Sequence, residues 1–170
     1  MKKLILVNGT MGVGKSTVCE ILYKSMKNSC WLDGDWCWTM NPFKVTDENK
    51  AMVMGNITYI LNNFLRNSMY EYIIFNWVMH QESIIEDVLR KLDKNYEYQV
   101  YKITLMCSEE KLIERIKKDI DNGKRDKDSL SRGVERIPLY KDMDTIKVDV
   151  GSNDVLETVE IIKNIVGYQA

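Results

Sequence analysis

The chain has 170 residues, enough for one domain with a core of its own. Its 24 Lys and Arg stand against 25 Asp and Glu, so no basic excess asks for nucleic acid or an anionic membrane as partner. No apolar run approaches a membrane span, and the four cysteines form no C-x-x-C pair and have one histidine, His80, to help them, which argues against structural zinc and for reduced thiols in a cytoplasmic protein.

Leu4-Ile5-Leu6-Val7 is a short apolar run of the kind that forms a strand buried on both faces. With the two lysines before it, the run faintly resembles a signal peptide, but it stops at Asn8 and reads as a strand. Gly9-Thr10-Met11-Gly12-Val13-Gly14-Lys15-Ser16-Thr17 comes next and fits G-x-x-x-x-G-K-[ST], the P-loop pattern. Glycines there let successive N–H groups turn inward around a phosphate. Lys15 is expected to reach the β- and γ-phosphates, and Ser16 to offer its hydroxyl to Mg²⁺. Val18, Leu22 and Met26, with Ile21 beside them, mark one face of a helix starting near Lys15, whose positive end adds to the anion site.

A second strand is predicted over Ser29 to Leu32, leading into Asp33-Gly34-Asp35. Trp36 to Phe43 reads as a loop closed by Asn41-Pro42, and Thr46 is placed to cap a helix with Val53, Ile57, Ile60 and Phe64 inward. Tyr72 to Phe75 is the third strand, ending at Asn76. A helix from Gln81 to Asp93 then shows Ile84, Ile85, Val88 and Leu92 on one side. Tyr98 to Met106 is the fourth strand. Ser108 caps a helix with Glu109 and Glu110 in its first turn and Leu112, Ile113, Ile116 and Ile120 on its apolar face. Asp121 to Gly133 is polar and charged; it reads as a lid over the phosphates, or else as a solvated surface loop. Arg132 to Lys141 is a short helix and Thr145 to Val150 the fifth strand. Ser152 or Asn153 caps a last helix with Val155, Val159, Ile162 and Val166 inward.

Strands alternating with helices imply an α/β fold in three layers, a parallel sheet covered on both faces. Ligands of such sheets sit beyond the carboxyl ends of the strands, where the P-loop, Asp33, Asp35 and Asn76 all fall. Two carboxylates two residues apart at a strand end can share one cleft. One then contacts Mg²⁺ through water while the other accepts the proton of an attacking hydroxyl. The alternative is an Asx-type turn that merely ends the strand. There is no N-K-x-D motif, as a GTPase would carry, and no clear Walker B pair.

These motifs resemble the shikimate-kinase-like and nucleotide-kinase-like branch of P-loop phosphotransferases. Leu32-Asp33-Gly34-Asp35 is similar to the D-x-D element of shikimate kinases and the L-D-G-D of adenylylsulfate kinases. Arg136-Ile137-Pro138-Leu139-Tyr140 resembles the shikimate kinase R-x-P-x-Y segment, and Val148-Asp149-Val150 sits where that family holds adenine. Chloramphenicol phosphotransferase and tunicamycin-resistance proteins share the plan. The resemblance implies a P-loop NTPase fold with a five-stranded parallel sheet in the order 2-3-1-4-5 and a short lid at about 121–133, in one kinase domain spanning 1–170.

For single residues, the resemblance implies a water-mediated Mg²⁺ contact for Asp33. Asp35 is implied to hydrogen-bond the acceptor hydroxyl and to serve as base, and Arg136 to grip an anionic group of the acceptor. It sets Arg115 against adenine and Arg125 against the transferring phosphoryl group, with Arg132 competing for that role. The chain departs from shikimate kinases at Asn76-Trp77-Val78-Met79, where they have a glycine run. It departs from adenylate-kinase-like enzymes at Asp119, where they have a second arginine.

Trp36, Trp38, Trp31 and Trp77 line an acceptor pocket or pack loops on the sheet. Asn76 holds a metal-bound water, bonds the acceptor or caps its strand, and His80 touches the acceptor or is structural. The function expected is ATP- and Mg²⁺-dependent transfer of the γ-phosphoryl group to a hydroxyl of a small molecule. A nucleoside or nucleotide kinase, a non-catalytic nucleotide-binding regulator and an NTP hydrolase are the alternatives.

Overall fold

The computed structural model describes residues 1–169. Five parallel strands run in the order β2-β3-β1-β4-β5: β1 Lys2–Asn8, β2 Ser29–Asp33, β3 Tyr72–Asn76, β4 Tyr98–Met106 and β5 Ile146–Asp149. The helices are α1 Lys15–Ser25, α2 Asp47–Arg66, α3 Glu82–Arg90, α4 Glu109–Asp121, α5 Ser129–Glu135, α6 Ile137–Lys141 and α7 Val155–Ile165. No described helix is long and apolar enough to cross a membrane.

Alternation along the central strands divides the core into two layers. Ile5 and Val7 of β1 and Ile74 of β3 face α1, α4 and α7, among Val18, Leu22, Leu112, Ile116, Val159 and Ile162. Leu4, Leu6, Ile73 and Phe75 face α2, α3 and α6, among Val53, Ile57, Leu61, Ile85, Val88 and Tyr140. Since β1 has sheet on both sides and helices on both faces, its residues 4–7 read as a continuous apolar run rather than an alternating one.

The structure corrects four local expectations. Leu61 and Leu65, not Ile60 and Phe64, complete the fully buried stripe of α2; the latter two flank the core. Residues 34–38 form a short 3-10 turn capped by Asp33, which takes in the first three residues of the loop expected over 36–43. The helix expected over 132–141 is two helices, broken at Arg136 just before Pro138. Asp154 caps α7, in a capping box with Glu157, because Ser152 and Asn153 are already bonded to Asp149. Val155 is correspondingly exposed at the helix start.

Candidate active site

The carboxyl end of β1 turns directly into the phosphate-type loop. Gly14, at φ 106°, is the residue from which α1 starts, a left-handed conformation that a glycine adopts without strain. No side chain bonds the first amides of α1, whereas Thr46, Ser108 and Asp154 each cap their helices. Uncapped amides and the positive end of the helix thus meet at residues 14–17, a ready anion site. Lys15 lies back into this cradle, donating from Nζ to the carbonyls of Gly9 at 2.9 Å and Thr10 at 3.0 Å. Burial pulls its pKa down to about 8, against the opposing pull of Asp35 and Asp33; Arg125 lowers it further.

Across the loop stands the strand-end pair. Ser16 donates from Oγ to Asp33 Oδ2 at 2.6 Å, and Asp33 Oδ1 accepts the Asp35 N–H at 3.0 Å. Asp33 is buried under the turn it caps, and Asp35 projects beyond it to the cavity. Gly34 lets this happen by its lack of bulk: a Cβ there would come within 2.6 Å of the Trp77 ring. The Asp35 carboxyl is open to the cavity and hemmed by protein behind. That crowding, and then the Asp33 carboxylate, raise its pKa above the usual carboxylate range, while Lys15, Arg125 and Trp77 pull it back.

Lys15, Ser16, Asp35 and Trp77 border one open cavity of about 1110 Å³, which also takes in Trp38, His80, Arg115, Arg125 and Arg136; Asp33 lies behind its wall. A space of that size exceeds the usual single-ligand pocket and suits a nucleotide and a second small molecule side by side. Arg115 ties two of its walls together, donating to the carbonyl of Val13 in the loop at 3.0 Å and to that of Val150 after β5 at 2.5 Å.

The segment 121–133, expected as a lid, is in part helical. Residues 129–135 are helical, and Thr10 Oγ1 donates to the Gly133 carbonyl at 2.6 Å, fastening that end to the phosphate loop. Arg125 reaches the cavity, held by Asp119 at 2.9 Å. Arg132 is not brought there: its guanidinium is taken by the Asp126 carboxylate at 2.9 Å on the outer side of α5. Trp36 also points elsewhere. It follows Asp35 in the 3-10 turn, so it leans out, edge-on to Trp31 at 4.8 Å and 55% exposed. Asn76 is buried, and its Oδ1 accepts the Trp31 indole N–H at 2.6 Å; it is not among the residues bordering the cavity. Asp119, Lys118 and Lys124 border the cavity without having been singled out as site residues from the sequence. Asp119 lies four residues after Arg115 on one helix, a spacing that puts both on the same face.

A phosphate loop at the end of a central strand, uncapped helix amides and a strand-end carboxylate pair in a 2-3-1-4-5 sheet define the P-loop kinase class of fold. A family model described as AAA domain matches residues 5–136, and the chain belongs to that family. A search of curated proteins gives no match. Among solved structures, the tunicamycin resistance protein of Deinococcus radiodurans superposes with TM-score 0.72 at 16% identity, over 99% of this chain and 98% of that one. The shikimate kinase of Bacteroides thetaiotaomicron gives 0.61 at 15% identity, over 98% and 99%. The APS kinase of Mycobacterium tuberculosis, in complex with AMPPNP and APS, gives 0.68 at 12% identity, over 98% of each chain.

Proposed function

We propose that this chain is an ATP- and Mg²⁺-dependent phosphotransferase, one kinase domain that moves the γ-phosphoryl group of ATP to a hydroxyl of a small molecule. The observation that carries this reading is the placement of Lys15 and Asp35 on one cavity, close enough for each to move the other's pKa. A nucleotide-binding regulator has no need of a carboxylate opposite its phosphate loop. The similar APS kinase was solved with an ATP analogue and a small-molecule ligand, which accords with a two-ligand cavity.

The oxygen pair of Ser16 and Asp33 fits Mg²⁺, which takes one or two protein oxygens together with phosphate and water rather than a full protein cage. Bound with ATP, the ion would neutralise charge on the β- and γ-oxygens. The protein's own share is then positioning and electrostatics. The loop amides and Lys15 hold the phosphates, and Asp35 aligns the acceptor hydroxyl and takes up its proton as the new O–P bond forms. The bond from γ-phosphorus to the bridging oxygen breaks and ADP leaves. Arg125, on the short segment 122–128, faces the charge that grows on the transferring group. Four cysteines that are all free thiols suit a reducing, cytoplasmic setting.

A coupled ADP-release screen of hydroxylated metabolites, nucleosides and antibiotics tests this reading, with Lys15→Ala as control. At least one acceptor is expected to raise ADP release well above the rate in water alone, and the control to lose that increase. Rapid ADP release indifferent to every acceptor would make the chain a hydrolase instead.

A further inference from the structure

Asp119 of α4 borders the cavity in contact with Arg125, and a cavity that takes in phosphates has no direct use for its negative charge. The contact begins in the backbone. α4 ends in the two bonds of a Schellman turn: the Lys124 N–H donates to the Asp119 carbonyl at 2.8 Å and the Gly123 N–H to that of Ile120 at 2.9 Å, with Gly123 at φ 69°. The main chain is thereby fixed up to Lys124, and Arg125 is the next residue. Its side chain folds back over the turn, where Nε donates to Asp119 Oδ2 at 2.9 Å. The far flank of the segment is fixed as well. Asp126 accepts from Ser129 Oγ at 2.8 Å and from Arg132 Nη2 at 2.9 Å, so Arg132 does not compete for Asp119.

How a carboxylate holds a guanidinium decides what is left over. Asp126 takes Arg132 by a terminal nitrogen, whereas Asp119 takes Arg125 by Nε. Nη1 and Nη2 of Arg125 make no hydrogen bond among the described residues, which leaves the planar fork for a second anion. Both side chains of the Asp119–Arg125 pair are about one-third exposed, at 32% and 33%, and a pair so open to solvent adds little to stability. The Arg125 charge reaches both Lys15 and Asp35, the groups on either side of the phosphoryl group in the proposed reaction.

We propose that Asp119 is a positioning residue for the transfer step: it holds Arg125 by Nε so that the Nη fork meets the phosphoryl group in the transition state. This rests on the phosphotransfer reading and adds a residue to it. Asp119 acts only through Arg125. A guanidinium on a three-carbon stem otherwise samples many rotamers, and misplacement of about 1 Å is enough to cost about 10²-fold in rate. The charge of Asp119 opposes phosphate at longer range, so the two consequences of removing it have opposite signs. Transfer slows, while affinity for ATP stays equal or tightens. A residue that merely shaped the cavity would weaken both.

The test compares Asp119→Ala, Asp119→Asn, Arg125→Ala and the double variant Asp119→Ala/Arg125→Ala in acceptor-dependent ADP release. Asp119→Ala is expected to lower kcat about 10–100-fold with no rise in KM for ATP and an unchanged thermal midpoint. Asp119→Asn, which keeps an oxygen for Nε, should recover part of that loss. The double variant should be no slower than Arg125→Ala alone, because the carboxylate then has nothing to hold. Added guanidinium ion should restore part of the Arg125→Ala rate and none of the double variant's. A kcat that is unchanged or raised in Asp119→Ala, losses that multiply in the double variant, or equal rescue by guanidinium in both overturns the proposal. A second readout needs no turnover. In the ¹⁵N-labelled chain the Arg125 Nε–Hε resonance, identified by its absence from Arg125→Lys, should shift with Mg²⁺ and AMPPNP in the wild type and not in Asp119→Ala. That shift without transfer to any acceptor sinks the phosphotransfer reading and leaves the placement of Arg125 standing. Intact acceptor-dependent release that ignores Asp119→Ala sinks this inference alone.

Discussion

Lys15→Met is expected to lower kcat/KM for acceptor-dependent ADP release by about 10²–10³-fold, the usual cost of removing one pre-placed electrostatic group. Methionine keeps the length of the stem and removes the charge, so the loss reports on charge at the phosphate rather than on packing. The same lysine predicts a pH dependence. Its pKa stands at about 8 in the chain without nucleotide, and triphosphate beside it must raise that value. Binding of ATP then takes up a proton, so affinity falls as pH rises above about 8 and the ammonium is lost from the free chain. Calorimetry in two buffers of different ionisation enthalpy reads the proton directly. In Lys15→Met that uptake should vanish; if it persists undiminished, another group is responsible and the assignment of Lys15 is wrong.

Asp35→Asn is the second large effect. A positioned general base contributes about 10²–10⁴-fold, and the loss should fall on kcat, with ATP affinity little changed, because the proposed role of Asp35 is toward the acceptor hydroxyl. In the wild type, kcat should rise with pH through the elevated Asp35 midpoint and then level; the asparagine variant should lack that limb. Stability should move the other way. Asp35 has its pKa raised by crowding and by Asp33, so its ionised form is disfavoured by the fold above the ordinary carboxylate pKa. Removing the charge should therefore leave the thermal midpoint at neutral pH equal or slightly higher. A variant that is both less stable and weaker for ATP would point to a structural role in the loop instead.

The parts of this site that were legible in the sequence are those whose chemistry is local. The phosphate loop is a contiguous run of glycines and a lysine between a strand and a helix. The pair Asp33 and Asp35 at a strand end was legible too, but not its division: both were expected to share one cleft, whereas Asp33 is buried under the turn it caps and Asp35 borders the cavity. What was not legible depends on competition for partners. Arg125 and Arg132 sit in one charged segment, and only the positions of Asp119 and Asp126 decide which guanidinium turns inward. Trp36 and Trp38 are two residues apart in a predicted loop; the 3-10 turn sends one out and the other to the cavity. On α2, Ile60 and Leu61 both fit helical spacing from Ile57, and it is the leucine that is fully buried in the core, with Ile60 packed beside it. The strand order came from family resemblance, since periodicity alone is silent about neighbours in a sheet.

A crystal structure with a non-hydrolysable ATP analogue and Mg²⁺ tests the central claim most directly. Lys15 Nζ should leave the Gly9 and Thr10 carbonyls for phosphate oxygens, with the Asp35 carboxylate across the open space from the terminal phosphate. An analogue seated outside residues 9–17, with Lys15 still bonded to those carbonyls, would contradict it.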